Sequence, residues 1–225
     1  PHQPRVRHVG NPVFDTLEAA GEPLPLKDAS GAPILALLPG SRRQEVQAGL
    51  PALLEASRAL LLQENTLETW ISCQRSNLLP LIEKIIEPYP GVRIHVGEAR
   101  ALQARARLAI VCSGTATLET AWHGVPMVVA YPATEISRSL YRLLGVAPYF
   151  SLVNLFAGRP LVPEILFEPG DGEAIARIAR PLLDPQIAAE MVAEMQQMRS
   201  EMFRAGASHE AARQVISLLE ESSRK

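Results

Sequence analysis

A doubly wound α/β fold, a parallel sheet with helices on both faces, is predicted by three features of the sequence. The continuous apolar runs Ile34 to Leu38, Leu108 to Cys112 and Met127 to Tyr131 have the length of central parallel strands covered on both sides. Segments with apolar residues at helical spacing separate the runs. Small-residue turns carrying a glycine, at Gly40 and at Gly114, join a strand to a helix. At 225 residues and 47% apolar content the chain is long enough for one large domain or two small ones.

Residues 1–33 are rich in Pro and Gly and read as an entry and linker segment, with a helical hint from Val13 to Ala20. The chain opens at Pro1 and is already in a motif by Val9-Gly10-Asn11-Pro12, so it reads as the later part of something longer. Residues 34–183 carry the predicted sheet. After Ile34 to Leu38 comes a long helix with Val46, Leu50, Leu53, Leu54, Ala56, Leu60 and Leu61 on one face. Thr69 to Cys73 is the next strand, and Leu78 to Ile86, with Pro80 in its first turn, the next helix. Val92 to Val96 alternates as a strand containing His95, and Glu98 to Arg107 reads as a short basic helix whose Arg100, Arg105 and Arg107 form a solvated face.

The strand from Leu108, a helix around Leu118 to Trp122 and the strand from Met127 complete a β-α-β-α-β-α-β-α-β order with right-handed crossovers. Beyond it, Pro132 to Leu144 reads as a loop and an amphipathic basic helix, and Phe150 to Pro163 as irregular. Asp171 is placed to cap a helix from Glu173 to Leu183. Residues 184–225 read as closing helices: a Met-rich one from Ile187 to Arg204, its stripe of Met191, Met195, Met198 and Met202 serving packing, and a last one capped by Ser208.

Two turns carry the candidate chemistry. In Ser113-Gly114-Thr115-Ala116-Thr117 a strand ends and a helix begins, where backbone N–H groups and the helix dipole favour an anion. Gly114 lets a ligand approach the backbone, and Ser113, Thr115 and Thr117 add hydroxyls. The same residues would also serve as plain helix caps. The turn Pro39-Gly40-Ser41-Arg42-Arg43 repeats the pattern with two guanidinium groups, which a helix amino end disfavours unless an anion lies beside them. It lacks the Gly-Lys-Ser/Thr of a Walker loop. Glu119, one helical turn into the second unit, suits either a ribose hydroxyl or the helix dipole. Asn154, Gly158 and Arg159 are polar groups in an apolar loop and need partners, a ligand among the candidates.

Composition narrows the classes. A net charge of −2 gives no general affinity for nucleic acid. No apolar run approaches the roughly 20 residues of a membrane span. The opening residues do not read as a secretory signal, so a cytoplasmic setting is expected. Cys73 and Cys112 lie in apolar runs without metal-ligand spacing and read as buried reduced thiols.

Four blocks in order, VGNP (Val9 to Pro12), LLPGSRRQEV (Leu37 to Val46), SGTATLETAWHGVPMVVAY (Ser113 to Tyr131) and SLVNLFAGRPLVPEIL (Ser151 to Leu166), resemble the lipid-A-disaccharide synthase family. Two positions depart from that family's pattern: Asn11 stands where it usually carries His, and Pro160 where an acidic residue is common. The resemblance implies the carboxyl-terminal, donor-binding half of a GT-B glycosyltransferase, with Rossmann-like architecture and closing helices. It implies transfer of 2,3-diacylglucosamine from UDP to 2,3-diacylglucosamine 1-phosphate, a lipid X-type acceptor, with inversion, a β-1,6 linkage, and no cofactor or metal. Carried over by motif position, Ser41 and Arg42 approach the diphosphate from one side, Ser113, Gly114 and Thr115 from the other. Glu119 then faces the ribose, and Asn154 and Arg159 line the donor pocket. The family places its general base in an amino-terminal domain, so this chain alone is expected to bind donor and turn over little. A homodimer and a peripheral contact with the inner membrane are left open as partners. Another UDP-sugar GT-B enzyme such as an epimerase, and a non-catalytic nucleotide-binding module, remain alternatives.

Overall fold

The computed structural model describes residues 7, 9–21, 31–112, 114–133, 149–202 and 205–223. The strands β1 (Ile34–Leu38), β2 (Glu68–Cys73), β3 (Arg93–Val96), β4 (Ala106–Val111), β5 (Met127–Pro132) and β6 (Glu164–Phe167) form one all-parallel sheet in the order β3-β2-β1-β4-β5-β6. The helices are α1 (Pro12–Ala19), α2 (Arg43–Leu61), α3 (Leu79–Ile86), α4 (Ala99–Gln103), α5 (Thr115–Trp122), α6 (Leu152–Ala157), α7 (Gly172–Ala179), α8 (Pro185–Met202) and α9 (Ala207–Ser223), with 3₁₀ turns at Ser76–Leu78 and Arg180–Leu183. The chain divides into two compact units. Pro23–Arg199 holds the sheet, and Pro1–Glu22 with Ser200–Lys225 forms the other.

Within the sheet unit, β1 is buried at all five positions, as a central strand enclosed on both faces must be. On α2 the expected stripe of Val46, Leu50, Leu53, Leu54, Ala56 and Leu60 is fully buried, while Leu61 at the helix end is half-exposed. Each large side chain removed from water in this way stabilises the fold by about 1.5–3 kcal/mol before the entropy of ordering is set against it. The methionine stripe is packing: Met191, Met195 and Met198 are buried along α8. No helix among the described residues is long and apolar enough to cross a membrane.

Several expectations are corrected. The segment after Phe150 is ordered, not irregular. Ser151 caps α6 by accepting from the Asn154 N–H at 3.2 Å, and Gly158 ends the helix in the left-handed conformation (φ 65°). The chain then adds β6 at the edge of the sheet, a sixth strand of only four residues, too short for a periodic signal. Arg107 lies in β4, not in a basic helix, and its guanidinium donates to the Leu183 carbonyl at 2.7 Å. Arg100 is half-buried and paired with Glu98, so this set is no plain solvated face. Asp171 stands at the N-cap of α7 as expected, but its carboxylate accepts from the Glu168 N–H at 2.8 Å and makes no cap bond to the helix. The basic helix expected within Pro132 to Leu144 falls mostly on 134–148, outside the described residues.

In the second unit, α9 takes its cap from a distant residue rather than from Ser208. Asp15 on α1 accepts backbone N–H bonds from Gly206, Ala207 (3.2 Å) and Ser208 (2.7 Å). Asn11 caps α1 itself, accepting from the Val13 N–H at 3.1 Å. His8 lies outside the described residues.

Two outcomes follow from this packing. A methyl group at Gly172 would lie 2.3 Å from Glu55 Cβ and 3.0 Å from the Ala52 carbonyl on α2. Gly172→Ala therefore lowers stability to urea by about 1–3 kcal/mol, outweighing alanine's better helix propensity; an unchanged urea midpoint would mean α7 does not press on α2 there. Asp15 is held down to about 2, from an ordinary 3.8, by the Ser208 hydroxyl and by the backbone N–H groups of Ser208 and Gly206. A depressed carboxyl stabilises the fold above its ordinary range and stops doing so as pH falls towards 2. Circular dichroism between pH 4 and pH 2 should thus show helix loss that is flattened in Asp15→Asn.

Candidate functional site

The sheet reverses its winding between β1 and β4. From β1 the chain moves outward to β2 and β3, and from β4 it moves the other way to β5 and β6, yet β1 and β4 lie side by side with Leu38 paired to Val111. The Cys112 N–H continues that pairing by donating to the Leu38 carbonyl at 2.9 Å. Such a switch point leaves a crevice at the carboxyl ends of the two strands, where open α/β sheets bind ligands. Here the crevice is a cleft of about 430 Å³, and both Gly40 and Gly114 line it. Both glycines have φ of 104°, a conformation that side chains rarely tolerate. The two turns picked out from the sequence share one cavity.

The first turn is more elaborate than expected. Glu45, in the first turn of α2, folds back over Gly40, so that its Oε2 accepts from the Ser41 N–H at 3.0 Å and the Arg42 N–H at 3.1 Å. Its Oε1 accepts from the Arg42 guanidinium at 2.6 Å. The anion invoked to explain a cation at this helix start is supplied by the chain itself. A methyl group at Gly40 would meet Glu45 Oε2 at 2.4 Å, which ties the glycine to this carboxylate. Arg42 keeps a largely exposed side chain (78%) at the cleft mouth, whereas Arg43 is exposed and does not line the cleft.

The second turn is open. Among the described residues nothing lies within 4 Å of a methyl group built at Gly114, and Thr115 and Ala116 continue the wall into α5. The Thr117 hydroxyl turns away to donate to the Gly114 carbonyl at 2.8 Å, a capping role. Ser113 lies outside the described residues. Glu119 reaches the cleft from the second turn of α5, half-buried. Burial pushes its carboxyl above the ordinary range, while hydrogen bonds from Thr115 and Gln103 and the charge of Arg100 pull the other way. Gln103, fully buried behind α5, donates to the Ala116 carbonyl at 3.2 Å and to Thr120 Oγ1 at 3.0 Å.

Ser72, Gln74 and Tyr131 complete the lining from the carboxyl ends of β2 and β5. Sequence reading missed these and Glu45. Their signals were position just past a strand and the three-residue spacing of Arg42 and Glu45, the spacing of a capping box. Asn154 and Arg159 do not line this cleft. The Asn154 amide is fully buried and bonded both ways to Val162, donating to its carbonyl at 2.8 Å and accepting from its N–H at 2.9 Å. Arg159 pairs with Glu194 on the surface.

Both cysteines are unpaired and buried. Cys112 borders the cleft, but burial, reinforced by the Glu45 charge, pushes its thiol up to about 12, which leaves it protonated and unreactive at neutral pH. His95 contacts the Glu98 carbonyl at 3.0 Å and lies away from the cleft lining. Among the described residues no cluster of three His, Cys, Asp or Glu side chains could hold a metal.

Comparison with known proteins gives this geometry a family. Residues 3–217 match the family model described as lipid-A-disaccharide synthetase. The lipid-A-disaccharide synthase of Alcanivorax borkumensis is 34% identical over 97% of this chain and 59% of its own length. That of Syntrophus aciditrophicus is 33% identical over 96% and 58%. The chain thus spans a little under three fifths of the curated relatives it matches. Among solved structures, the pneumococcal O-GlcNAc transferase GtfA, in complex with UDP and GlcNAc, superposes with a TM-score of 0.55 at 14% identity, over 88% of this chain and 39% of that one. The rhamnosyltransferase SpnG gives 0.55 at 14%, over 86% and 46%. The C-terminal CMP-Kdo binding domain of WaaA from Acinetobacter baumannii gives 0.50 at 14%, over 75% and 90%. These likenesses establish the Rossmann-like architecture of a GT-B glycosyltransferase half, and with the family model and a third of its residues shared along nearly its whole length, the chain belongs to the lipid-A-disaccharide synthase family.

Proposed function

We propose that this chain is the donor-binding half of a lipid A disaccharide-forming glycosyltransferase, and that the cleft at the β1–β4 switch point receives the UDP of a UDP-2,3-diacylglucosamine donor. One observation carries the reading: two glycine turns far apart in the chain, at Gly40 and Gly114, face the same cavity at the carboxyl edge of one sheet. A diphosphate spanning them meets the backbone N–H groups of Ser41 and Arg42 and the Arg42 guanidinium on one side. On the other it meets Gly114, Thr115 and the amino end of α5. Glu119, further down the same wall, takes the ribose hydroxyls as an acceptor.

The chemistry follows from where charge grows. In an inverting transfer the 6-hydroxyl of the acceptor sugar attacks the anomeric carbon as its bond to UDP breaks, and the electron pair of that bond leaves on the diphosphate. Fixed N–H groups and a guanidinium at the departing phosphates stabilise that charge more in the transition state than in the bound donor. The hydroxyl proton passes to a general base. In this reading the base belongs to the part of the enzyme that faces this half across the GT-B cleft, so this chain by itself binds donor and transfers little. The acyl chains of donor and acceptor bring the enzyme to the surface of the inner membrane as a peripheral protein.

Isothermal titration of this chain with UDP, UMP and a nicotinamide dinucleotide tests the reading. UDP should bind best, and Arg42→Ala should weaken it by about 1.5–3 kcal/mol, the range of a charged hydrogen bond. Absent UDP binding, or preferred dinucleotide binding, would overturn it. The raised Glu119 carboxyl adds a pH signature. If its charged form holds the ribose, UDP affinity declines on acidification from a pH above the ordinary glutamate range. Measuring Glu119→Gln in parallel cancels the phosphate's own titration, and equal pH profiles would remove Glu119 from the site.

A further inference from the structure

The Glu45 carboxylate holds the very donors that the diphosphate reading assigns to the ligand. Its two oxygens accept from the Ser41 N–H, the Arg42 N–H and the Arg42 guanidinium, at 3.0, 3.1 and 2.6 Å, inside the wall of the cleft. A planar carboxylate accepting from two adjacent backbone N–H groups and a guanidinium presents the same hydrogen-bond pattern as one face of a phosphate. A phosphate and this carboxylate cannot share those donors, because two anions a few ångströms apart in a half-enclosed cleft repel and each donor hydrogen serves one strong acceptor. At the Gly114 turn, among the described residues, nothing lies within 4 Å of a methyl group built on the glycine, and the carboxylate of that wall, Glu119, lies a helical turn further on. The two halves of the site therefore differ, one open and one held by a resident acid.

We propose that Glu45 is a resident competitor of the ligand's diphosphate, exchanged out of the Gly40 turn when the diphosphate engages Ser41 and Arg42. The inference rests on the diphosphate reading above and adds to it a gate. The open Gly114 turn receives one phosphate first, and the Gly40 turn closes on the second only as Glu45 swings out by rotation of its side chain. Two consequences follow. Ligands with a single phosphate are discriminated against, since they gain one wall without repaying the cost of moving Glu45. The guanidinium of Arg42 passes from carboxylate to phosphate, so that it is neutralised throughout and its charge is never left unpaired at the mouth of the cleft.

The test is UDP and inorganic pyrophosphate titrated into the wild-type chain, Glu45→Gln and Glu45→Asp. Glutamine keeps the shape, but its single oxygen accepts from the two backbone N–H groups more weakly and its NH2 cannot accept from the Arg42 guanidinium, so exchange predicts tighter binding of both probes, by about five- to tenfold. Aspartate keeps the charge but is a methylene too short to reach the turn, so it should tighten binding too. A gain confined to Gln would assign the effect to charge alone, and unchanged or weakened binding in both variants would make Glu45 a fixed brace of the turn; either result overturns the exchange. As a measurement independent of mutation, the carboxyl carbon resonance of Glu45 in the wild-type chain should shift on saturation with UDP, and a stationary resonance would overturn the proposal. UDP binding to the wild type that Arg42→Ala weakens, together with a stationary Glu45, removes the exchange and leaves the diphosphate site standing. Absent UDP binding to the wild type removes both.

Discussion

The parallel pairing of β1 with β4 is the constraint on which the rest depends. These strands are separated in the chain by two whole strand–helix units, yet they run side by side in register from Leu35 with Leu108 to Leu38 with Val111. Because they are parallel, both end at the same edge, and because the winding reverses between them, the helices that follow do not close the gap. Gly40 and Gly114 lie one turn beyond these ends, and each takes a positive φ that lets the backbone double back into a helix start. Move the register, and the two turns would no longer share a cavity. The core of Leu35, Leu37, Ile110 and Val128, all fully buried, is what holds that register.

The diphosphate reading asks how a chain of net charge −2 would hold an anion in this cleft. Arg42 is the one arginine in the lining among the described residues, and it faces two carboxylates there, Glu45 and Glu119. Side-chain charge alone would make this wall unfavourable to a phosphate. On the diphosphate reading, attraction comes from the oriented N–H groups at the starts of α2 and α5, which the glycine turns fix in direction, those of α2 becoming available as Glu45 leaves them. Long-range charge contributes little, so recognition depends on contact geometry rather than on steering.

A second polar centre does structural work beside the cleft. The Glu164 carboxylate accepts from the N–H groups of Phe150 and Ser151, and Asn154 from α6 clamps Val162 in both directions. The first pair satisfies backbone N–H groups just ahead of α6, and the second satisfies those of Val162 in the connection from α6 to β6. Polar residues in this otherwise apolar stretch therefore have partners inside the chain, which answers the question that the sequence posed about Asn154.

Much of the fold was legible before any coordinates. Continuous apolar runs located β1, β4 and β5, because a strand covered on both faces has no polar side to disguise it, and the apolar face of α2 was readable from its one-sided burial. The two glycine turns were readable because each breaks the pattern between a strand and a helix. What tertiary structure decided was everything that depends on partners distant in sequence. The edge strand β6, four residues beginning with Glu164, exists because β5 offers it a ladder. The cap of α9 comes from Asp15, about 190 residues away, and not from Ser208 beside it. Arg42 was expected to wait for an anion, and the fold already gives it Glu45. Local sequence sets which residues can turn, bury or carry charge; which of them meet, and which charges cancel, is fixed only when the strands choose their neighbours.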